Sequence, residues 1–257
     1  MYNHELIETA IRNYAASKVD QEISSNDLMN NQWYFEVGRS AVEVITVGMM
    51  SSYINKVERV LDLPCGHGRV LRHLVPMFPD AKFYACDLDT DGVEYCAQKY
   101  GAVPLHSKPE LSEMDFGIQF DLIWVGSLFT HVAEEQTARW LAHLPKYLTA
   151  CGIIVATTHG RWCERVHQTS PYIAPQRWND VMMGYRSRGY GYAEYIAEES
   201  RQHLPGNYGI SMSRASTIID MIECIDGVRL FSYTERAWAD HQDVVVYGKP
   251  AFDKAWA

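Results

Sequence analysis

The sequence predicts an α/β fold: a three-layer sandwich around a mostly parallel seven-stranded sheet whose last strand is antiparallel. Short β-rich runs alternate with helical segments between residues 57 and 157, a pattern typical of a parallel sheet covered by helices on both faces. The last two predicted strands, 228–234 and 244–247, are joined only by a loop. Since a parallel crossover needs a longer connection, this pair is expected to be antiparallel.

Helical periodicity predicts two N-terminal helices, at 3–17 and 33–55, with a polar loop at 18–32 between them. Asp91 is a possible N-cap of a later helix, and Gly101 is its expected stop. From residue 57 onward the predicted order is strand 57–63, helix 70–78, strand 82–86, helix 91–100, strands 102–106 and 120–125, helix 134–148, strand 152–157 and helix 213–225, followed by the final strand pair.

Residues 160–212 interrupt this alternation between the fifth and sixth strands of the sheet. The segment is rich in tyrosine, glycine and proline and shows no clean period. A long segment of this kind inside a compact fold is typical of a lid or binding insertion, and tyrosines offer apolar area with a polar tip. The alternative is a structural elaboration that only covers the sheet.

Charge and composition exclude several classes of partner. The 257 residues carry a formal net charge of -9, with 47% hydrophobic and 21% charged residues. A nucleic-acid binder normally has a basic face, so no nucleic-acid partner is expected. The six cysteines form no CxxC pair, the N-terminus has no apolar signal core, and the apolar runs have strand length. We therefore expect a cytoplasmic protein without disulfides, a zinc site or membrane contact; its oligomeric state stays open.

The segment LDLPCGHGRVLRHL, residues 61–74, predicts a ligand site. Asp62 ends a strand, Gly66 and Gly68 allow a tight turn, and a helix begins directly afterwards. Glycine suits a sharp turn close to a ligand, and the free amides at a helix start favour an anionic group. The turn falls at the carboxyl edge of the sheet, where open α/β sheets bind ligands.

This segment resembles the first motif, D-x-G-x-G-x-G, of the class I S-adenosylmethionine-dependent methyltransferases. Here it reads Asp62-Leu-Pro64-Cys65-Gly66-His-Gly68, with Pro64 in place of the first glycine. The resemblance implies that S-adenosylmethionine binds at this loop and that S-adenosylhomocysteine is the product.

Two further segments resemble motifs of the same family. FYACDLDTDGV resembles the second motif, which implies that Asp87 binds both ribose hydroxyls and that Leu88 lies against the adenine. FDLIWVGSLFTHV resembles the fourth motif, which implies that Val125, Gly126 and Ser127 flank the methionine part. No D/N-P-P-Y sequence follows, which argues against amino-methyltransferases of adenine or glutamine.

The resemblance implies one methyltransferase domain over residues 1–257. Its expected parts are an N-terminal helical cap (1–56), a cofactor-binding core (57–159), a substrate lid (160–212) and a C-terminal helix with a β-hairpin (213–257). Tyr34 and Arg39 are candidates for closing over the cofactor; the alternative is an ordinary helix face that packs on the sheet. The implied activity is methyl transfer to a small molecule or glycan, at oxygen.

A hydroxyl acceptor needs a base, and a neutral histidine has a suitable pKa. His131, His159 and His241 each follow a predicted strand at or near the carboxyl edge, so these three are the candidates. For each the alternative is a hydrogen-bonded structural histidine. Because the segment from Gly126 to Leu128 offers no carboxylate, no metal site of the catechol type is expected, and the protein is predicted to bind no metal.

Two other functions stay open. A nicotinamide-dependent oxidoreductase would carry G-x-G-x-x-G after the first strand, a spacing that this chain lacks. A non-catalytic S-adenosylmethionine-binding protein on the same fold is the second alternative, since a fold does not determine turnover.

Overall fold

Seven strands form one sheet in the computed structural model, which describes residues 4–196 and 208–250. Residues 197–207, part of the predicted insertion, lie outside the described residues. Its strands are β1 (Arg59–Leu63), β2 (Lys82–Asp87), β3 (Val103–His106), β4 (Phe120–Val125), β5 (Leu148–Thr158), β8 (Arg229–Trp238) and β9 (Gln242–Gly248); β6 (Tyr190–Glu194) and β7 (Gly209–Ser213) form a separate pair. The order of the strands across the sheet is β3-β2-β1-β4-β5-β9-β8.

The first five strands are parallel, and β9 runs antiparallel to both β5 and β8. The predicted fold class is therefore confirmed, including the antiparallel last strand. Because β8 runs in the same direction as β5, its carboxyl end and the turn that follows it reach the same sheet edge as the first five strands.

Alternating side chains give the sheet two apolar faces. On β1, Val60 packs into one hydrophobic cluster and Leu61 into the other, and the same alternation continues along β4 and β5. The first face is covered by α1 (His4–Ala16), α2 (Tyr34–Ser51), α3 (Leu71–Met77) and α4 (Thr90–Tyr100), and the second by α5 (Glu134–His143) and α8 (Ala215–Glu223). This arrangement produces the three layers.

The segment after β5 contains regular structure that the sequence did not predict. It forms α6 (Cys163–Thr169), α7 (Pro175–Arg188) and a separate antiparallel pair, β6 (Tyr190–Glu194) with β7 (Gly209–Ser213). These elements have their own apolar cluster, which includes Trp178, Val181 and Ile210. Three of these elements, α6, β6 and β7, have only five to seven residues and are too brief to establish a repeat. The 14-residue α7 was missed although Trp178, Val181 and Met182 recur at helical spacing.

Two details at element ends differ from the predictions. The predicted helix 134–148 ends at His143 and continues as a short 3-10 helix, Leu144–Tyr147, because Pro145 has no amide hydrogen for an α-helical bond. The N-cap of α4 is Asp89 rather than Asp91: its carboxylate accepts from the amides of Asp91 and Gly92. Gly101 is confirmed as the stop, with a left-handed φ of 67°.

Within residues 4–196 and 208–250, no helix has the length and apolarity that crossing a bilayer requires.

Candidate active site

A cavity of about 550 Å³ opens at the carboxyl edge of the sheet. It lies where the strand order reverses between β1 and β4, the position at which open α/β sheets form a ligand crevice. Its wall is formed by the loops after β1 to β5, by the turn between β8 and β9, by Val37 of α2, and by parts of the insertion and of the N-terminal segment. Three separate predicted motifs therefore meet at one cavity.

The loop after β1 lines the cavity with Asp62, Pro64, Cys65 and Gly66. The Leu63–Pro64 peptide is cis, and Gly66 has a left-handed φ of 48°. A Cβ at Gly66 would meet nothing within 4 Å, so this glycine leaves open space beside the cavity wall. Gly68 is not part of the wall: with φ at 76° it turns the chain into α3 and packs against Tyr100.

Asp62 is a buried carboxylate without a hydrogen-bond partner. Its side chain is 1% exposed, and neither carboxylate oxygen has a partner in hydrogen-bonding geometry among the described residues. Burial, followed by the nearby charge of Asp87, raises the pKa of Asp62 well above its usual value. An unpaired buried carboxylate is unfavourable, so its position in a cavity wall indicates a site for a cationic ligand group.

Asp87, at the end of β2, also lines the cavity. One carboxylate oxygen accepts from the amide of Gly66 at 2.7 Å and the other from the amide of Asp89 at 3.0 Å. Each oxygen keeps a second lone pair, so the carboxylate can still accept from two vicinal hydroxyls. The bond to Gly66 ties the β1 and β2 loops together. Leu88 follows on the same wall.

The loop after β4 is fixed by a polar network. Ser127 has a φ of 60°; its amide donates to the Thr157 hydroxyl at 2.7 Å, and its own hydroxyl accepts from the Gln242 amide at 3.0 Å. Gly126 and Ser127 line the cavity, whereas Val125 is fully buried in the core. At Gly126 a Cβ would approach the Trp124 indole to 2.6 Å, so the close neighbour that excludes a side chain is this ring.

His159 follows β5 and is 3% exposed. Its Nδ1 lies 3.2 Å from the carbonyl oxygen of Ser211 on β7. A carbonyl only accepts, so Nδ1 carries the proton and Nε2 carries the lone pair. Burial and the neighbouring His241 and His131 hold the pKa of His159 well below its usual value, which keeps the ring neutral.

The other two candidate histidines are also on the cavity wall. His131 Nδ1 donates to the Gly209 carbonyl at 2.8 Å, and its ring stacks on Tyr208. His241 Nε2 is hydrogen bonded to the Tyr172 hydroxyl at 2.5 Å, and burial lowers the pKa of His241. The structure thus brings all three predicted histidines to the β5–β9 end of the cavity.

Sequence reasoning missed an N-terminal contribution to the wall. Residues 20–33, here called the strap, run past the β1 loop and place Asn26, Asp27, Leu28 and Met29 on the cavity. The strap is held by the buried Arg72 of α3, whose guanidinium donates to the carbonyls of Asp20 at 3.1 Å and Glu22 at 2.8 Å. A buried arginine one turn into a predicted helix is the signal that could have pointed to such a contact.

The two residues predicted to close over the cofactor do not line the cavity. Tyr34 is buried under the strap, where its hydroxyl donates to Asp27 and accepts from Arg72. Arg39 is exposed on α2 and pairs with Glu43 one turn later. The prediction for Tyr34 and Arg39 was wrong because Val37, rather than either of them, brings α2 to the cavity: Tyr34 packs against the strap and Arg39 faces solvent.

Comparison with known proteins agrees with this geometry. Residues 61–154 match a family model described as a methyltransferase domain. No curated protein matches the chain by sequence.

Several solved structures share the fold at low identity. An S-adenosylmethionine-dependent methyltransferase from Clostridium acetobutylicum aligns with a TM-score of 0.54 and 10% identity, over 86% of this chain and 93% of that one. An O-methyltransferase family protein from Burkholderia thailandensis gives 0.53 and 11%, over 85% of this chain and 59% of that one. A sugar N-methyltransferase from Streptoalloteichus gives 0.52 and 17%, over 91% and 98%. Residues 61–154 thus match a methyltransferase domain, and the chain shares its fold with S-adenosylmethionine-dependent methyltransferases.

Proposed function

We propose that this protein transfers a methyl group from S-adenosylmethionine to a hydroxyl of a small molecule or glycan. The observation that carries the proposal is the pairing of Asp62 and His159 on one cavity. Asp62 is a buried carboxylate in need of a cation, and His159 is a buried neutral imidazole with a fixed tautomer.

The residues at the β1–β2 end fit S-adenosylmethionine. Asp62 suits the amino group of its methionine part, and Asp87 suits the two ribose hydroxyls. Leu88 offers an apolar surface to the adenine, and the open space at Gly66 admits a ligand close to the backbone. When bound, S-adenosylmethionine supplies a methyl group on a positively charged sulfur, which needs no acid to leave.

The β5–β9 end suits an uncharged acceptor. Among the described residues, its wall consists of neutral polar and aromatic side chains: His131, His159, Tyr172, Tyr195, Tyr208, His241 and Gln242. The charged wall residues lie on the strap and on the loops after β1, β2 and β3. Rings of this kind stack on a sugar or an aromatic ring and offer hydrogen bonds to hydroxyl groups. Both an O-methyltransferase family protein and a sugar N-methyltransferase share the fold.

His159 is the best placed of the three histidines to remove the hydroxyl proton. Its Nε2 makes no hydrogen bond to a described residue, whereas His241 Nε2 is engaged by Tyr172. The Ser211 carbonyl stabilises the protonated ring as well as orienting the neutral one, as the third member of a catalytic triad does. General-base catalysis of this kind contributes roughly 10²–10⁴-fold to a rate.

Calorimetry combined with a product assay tests this proposal. Titration should show one site for S-adenosylmethionine and one for S-adenosylhomocysteine, and no site for NADH. A panel of sugars, polyols and phenols should then contain acceptors that release S-adenosylhomocysteine. No binding of either adenosyl ligand at high micromolar concentration overturns the proposal. Normal binding without turnover on any acceptor favours the non-catalytic alternative.

A further inference from the structure

Three side chains with metal-binding atoms converge at the β5–β9 end of the cavity. His159 follows β5, Cys163 begins α6, and His241 lies in the turn between β8 and β9. One nitrogen of each histidine and the Cys163 sulfur all lie within 4.8 Å of one another. The Tyr172 hydroxyl, which hydrogen bonds to both His241 Nε2 and the Cys163 thiol, marks the point where these polar atoms meet.

The chemistry of the three groups matches a borderline-soft divalent ion. Two imidazole nitrogens and a thiolate are ligands that Zn²⁺ prefers. In a tetrahedral Zn²⁺ site such ligand atoms lie roughly 3.3–3.8 Å apart, so side-chain movements of about 1 Å bring the three into range.

The surroundings of His159 and Cys163 support the same assignment. Metal-binding histidines usually donate their other ring nitrogen to a carbonyl or carboxylate, and His159 Nδ1 already donates to the Ser211 carbonyl. Burial raises the pKa of Cys163 to about 12, and the nearby carboxylate of Asp243 acts in the same direction. That negative charge repels a bare thiolate but attracts a cation, and a bound ion would displace the thiol proton to solvent.

We propose that His159, Cys163 and His241 bind one Zn²⁺ ion and that this ion inhibits the enzyme. Both histidines line the cavity, so the fourth coordination position is accessible to water or to an acceptor hydroxyl. Inhibition rests on the proposed function, because the ion uses the His159 lone pair that would otherwise remove the acceptor proton. The ion site itself does not depend on methyl transfer.

Titration of the metal-free protein with Co²⁺, a spectroscopic substitute for Zn²⁺, tests the site. One equivalent should produce d–d bands and a thiolate-to-cobalt charge-transfer band, which one equivalent of Zn²⁺ should abolish. Cys163→Ser should remove the charge-transfer band and weaken Zn²⁺ binding at least about 100-fold, since even indirect partners of a ligand are worth roughly 10–100-fold. Cys224→Ser is the matched control, because this exposed cysteine lies elsewhere and should leave the spectrum unchanged.

The affinity for S-adenosylhomocysteine distinguishes loss of the Zn²⁺ site from misfolding of the variant and from failure of the proposed function. This affinity should be the same in the wild type and in Cys163→Ser, and Zn²⁺ should not change it. Zn²⁺ should inhibit turnover of the wild type but not turnover of Cys163→Ser. If Cys163→Ser does not bind S-adenosylhomocysteine, His241→Asn takes its place and should weaken Zn²⁺ binding to a similar extent. Absence of the charge-transfer band in the wild type, or its persistence in Cys163→Ser, overturns the proposal whether or not methyl transfer is found.

Discussion

Asp87 joins two loops as well as facing the cavity, and this double role decides how it should be tested. Its carboxylate accepts from the amides of Gly66 and Asp89, so an alanine at this position would also disturb the loop. Asp87→Asn keeps one acceptor oxygen and removes the charge. We expect it to weaken S-adenosylhomocysteine binding by roughly 10–100-fold, the loss of a charge-assisted hydrogen bond worth about 1.5–3 kcal/mol.

Calorimetry on Asp87→Asn and Asp89→Asn provides the comparison. Asp89 also lines the cavity, but its structural role is to cap α4, and asparagine caps as well as aspartate. Asp89→Asn should therefore change the affinity less than Asp87→Asn. Equal effects of the two substitutions would contradict the ribose assignment.

Asp62 should favour ligand binding at the expense of the stability of the ligand-free protein. Its raised pKa means that the folded state holds this proton more tightly than the unfolded chain, so the contribution of Asp62 to stability is lost as pH rises from about 4 through the raised value. Asp62→Asn removes this dependence. We expect the variant to gain stability relative to the wild type as pH increases, while its S-adenosylmethionine affinity falls by roughly 10-fold or more.

Urea denaturation of both proteins at several pH values measures the first effect, and calorimetry measures the second. A stability difference that does not vary with pH would show that Asp62 keeps its ordinary pKa. Unchanged cofactor affinity would remove Asp62 from the cofactor site.

The pH–rate profile distinguishes His159 from the other histidines. Burial lowers its pKa, so the neutral form persists as pH falls, and the acid limb of kcat should lie well below pH 6.5. His159→Ala should reduce kcat by about 10²–10⁴-fold with little change in S-adenosylhomocysteine affinity. His241→Ala, measured in the same assay, should have the smaller effect on kcat. The reverse order would transfer the role of base to His241.

Among the elements, the strap is held by several side chains, of which Arg72 alone bonds to two of its carbonyls. Besides its bonds to the strap carbonyls, Arg72 donates to the Gly68 carbonyl at 3.1 Å and contacts the Tyr34 ring face at 5.0 Å. Arg72→Met keeps the apolar volume but removes the guanidinium hydrogen bonds to these carbonyls. We expect a loss of about 3 kcal/mol in the free energy of unfolding, faster hydrogen exchange across residues 20–33, and weaker cofactor binding.

Hydrogen-exchange mass spectrometry with and without S-adenosylhomocysteine checks this expectation, with the exposed Arg12→Met as the control. In the wild type the ligand should slow exchange in the strap, since four strap residues line the cavity. Strap exchange that is insensitive to both the ligand and Arg72→Met would exclude the strap from the site.

Local patterns predicted the sheet elements well because apolar runs of strand length alternate there with helical segments. Asp62, Asp87 and Ser127 were located by the resemblance to the family's motifs, and their places at or after strand ends bring them to one edge of the parallel sheet. The strap and the β6–β7 pair could not be located, since both depend on contacts between residues far apart in sequence. Arg72 reaches the Asp20 carbonyl over 52 positions, and the Gly209 amide reaches the His131 carbonyl over 78. Neither contact leaves a periodic signal.

For the whole molecule, the fold explains why one edge holds both halves of the cavity. The reversal of strand order at β1 and β4 opens the crevice, and β8 returns to the same edge so that its turn delivers His241. Strand β7 then fixes the loops after β4 and β5, because its carbonyls orient His131 and His159 and its amides bond to the same two loops. We therefore expect residues 160–212 to act as a substrate lid, and residues 4–196 and 208–250 to work together in one methyltransferase domain.

A crystal structure with S-adenosylhomocysteine tests the central claim most directly. We predict that the methionyl amino group lies on Asp62, that both ribose hydroxyls lie on Asp87, and that the sulfur faces His159 across the cavity. A ligand bound elsewhere, or bound here with Asp62 still unpaired and the sulfur turned away from the three histidines, would contradict the account.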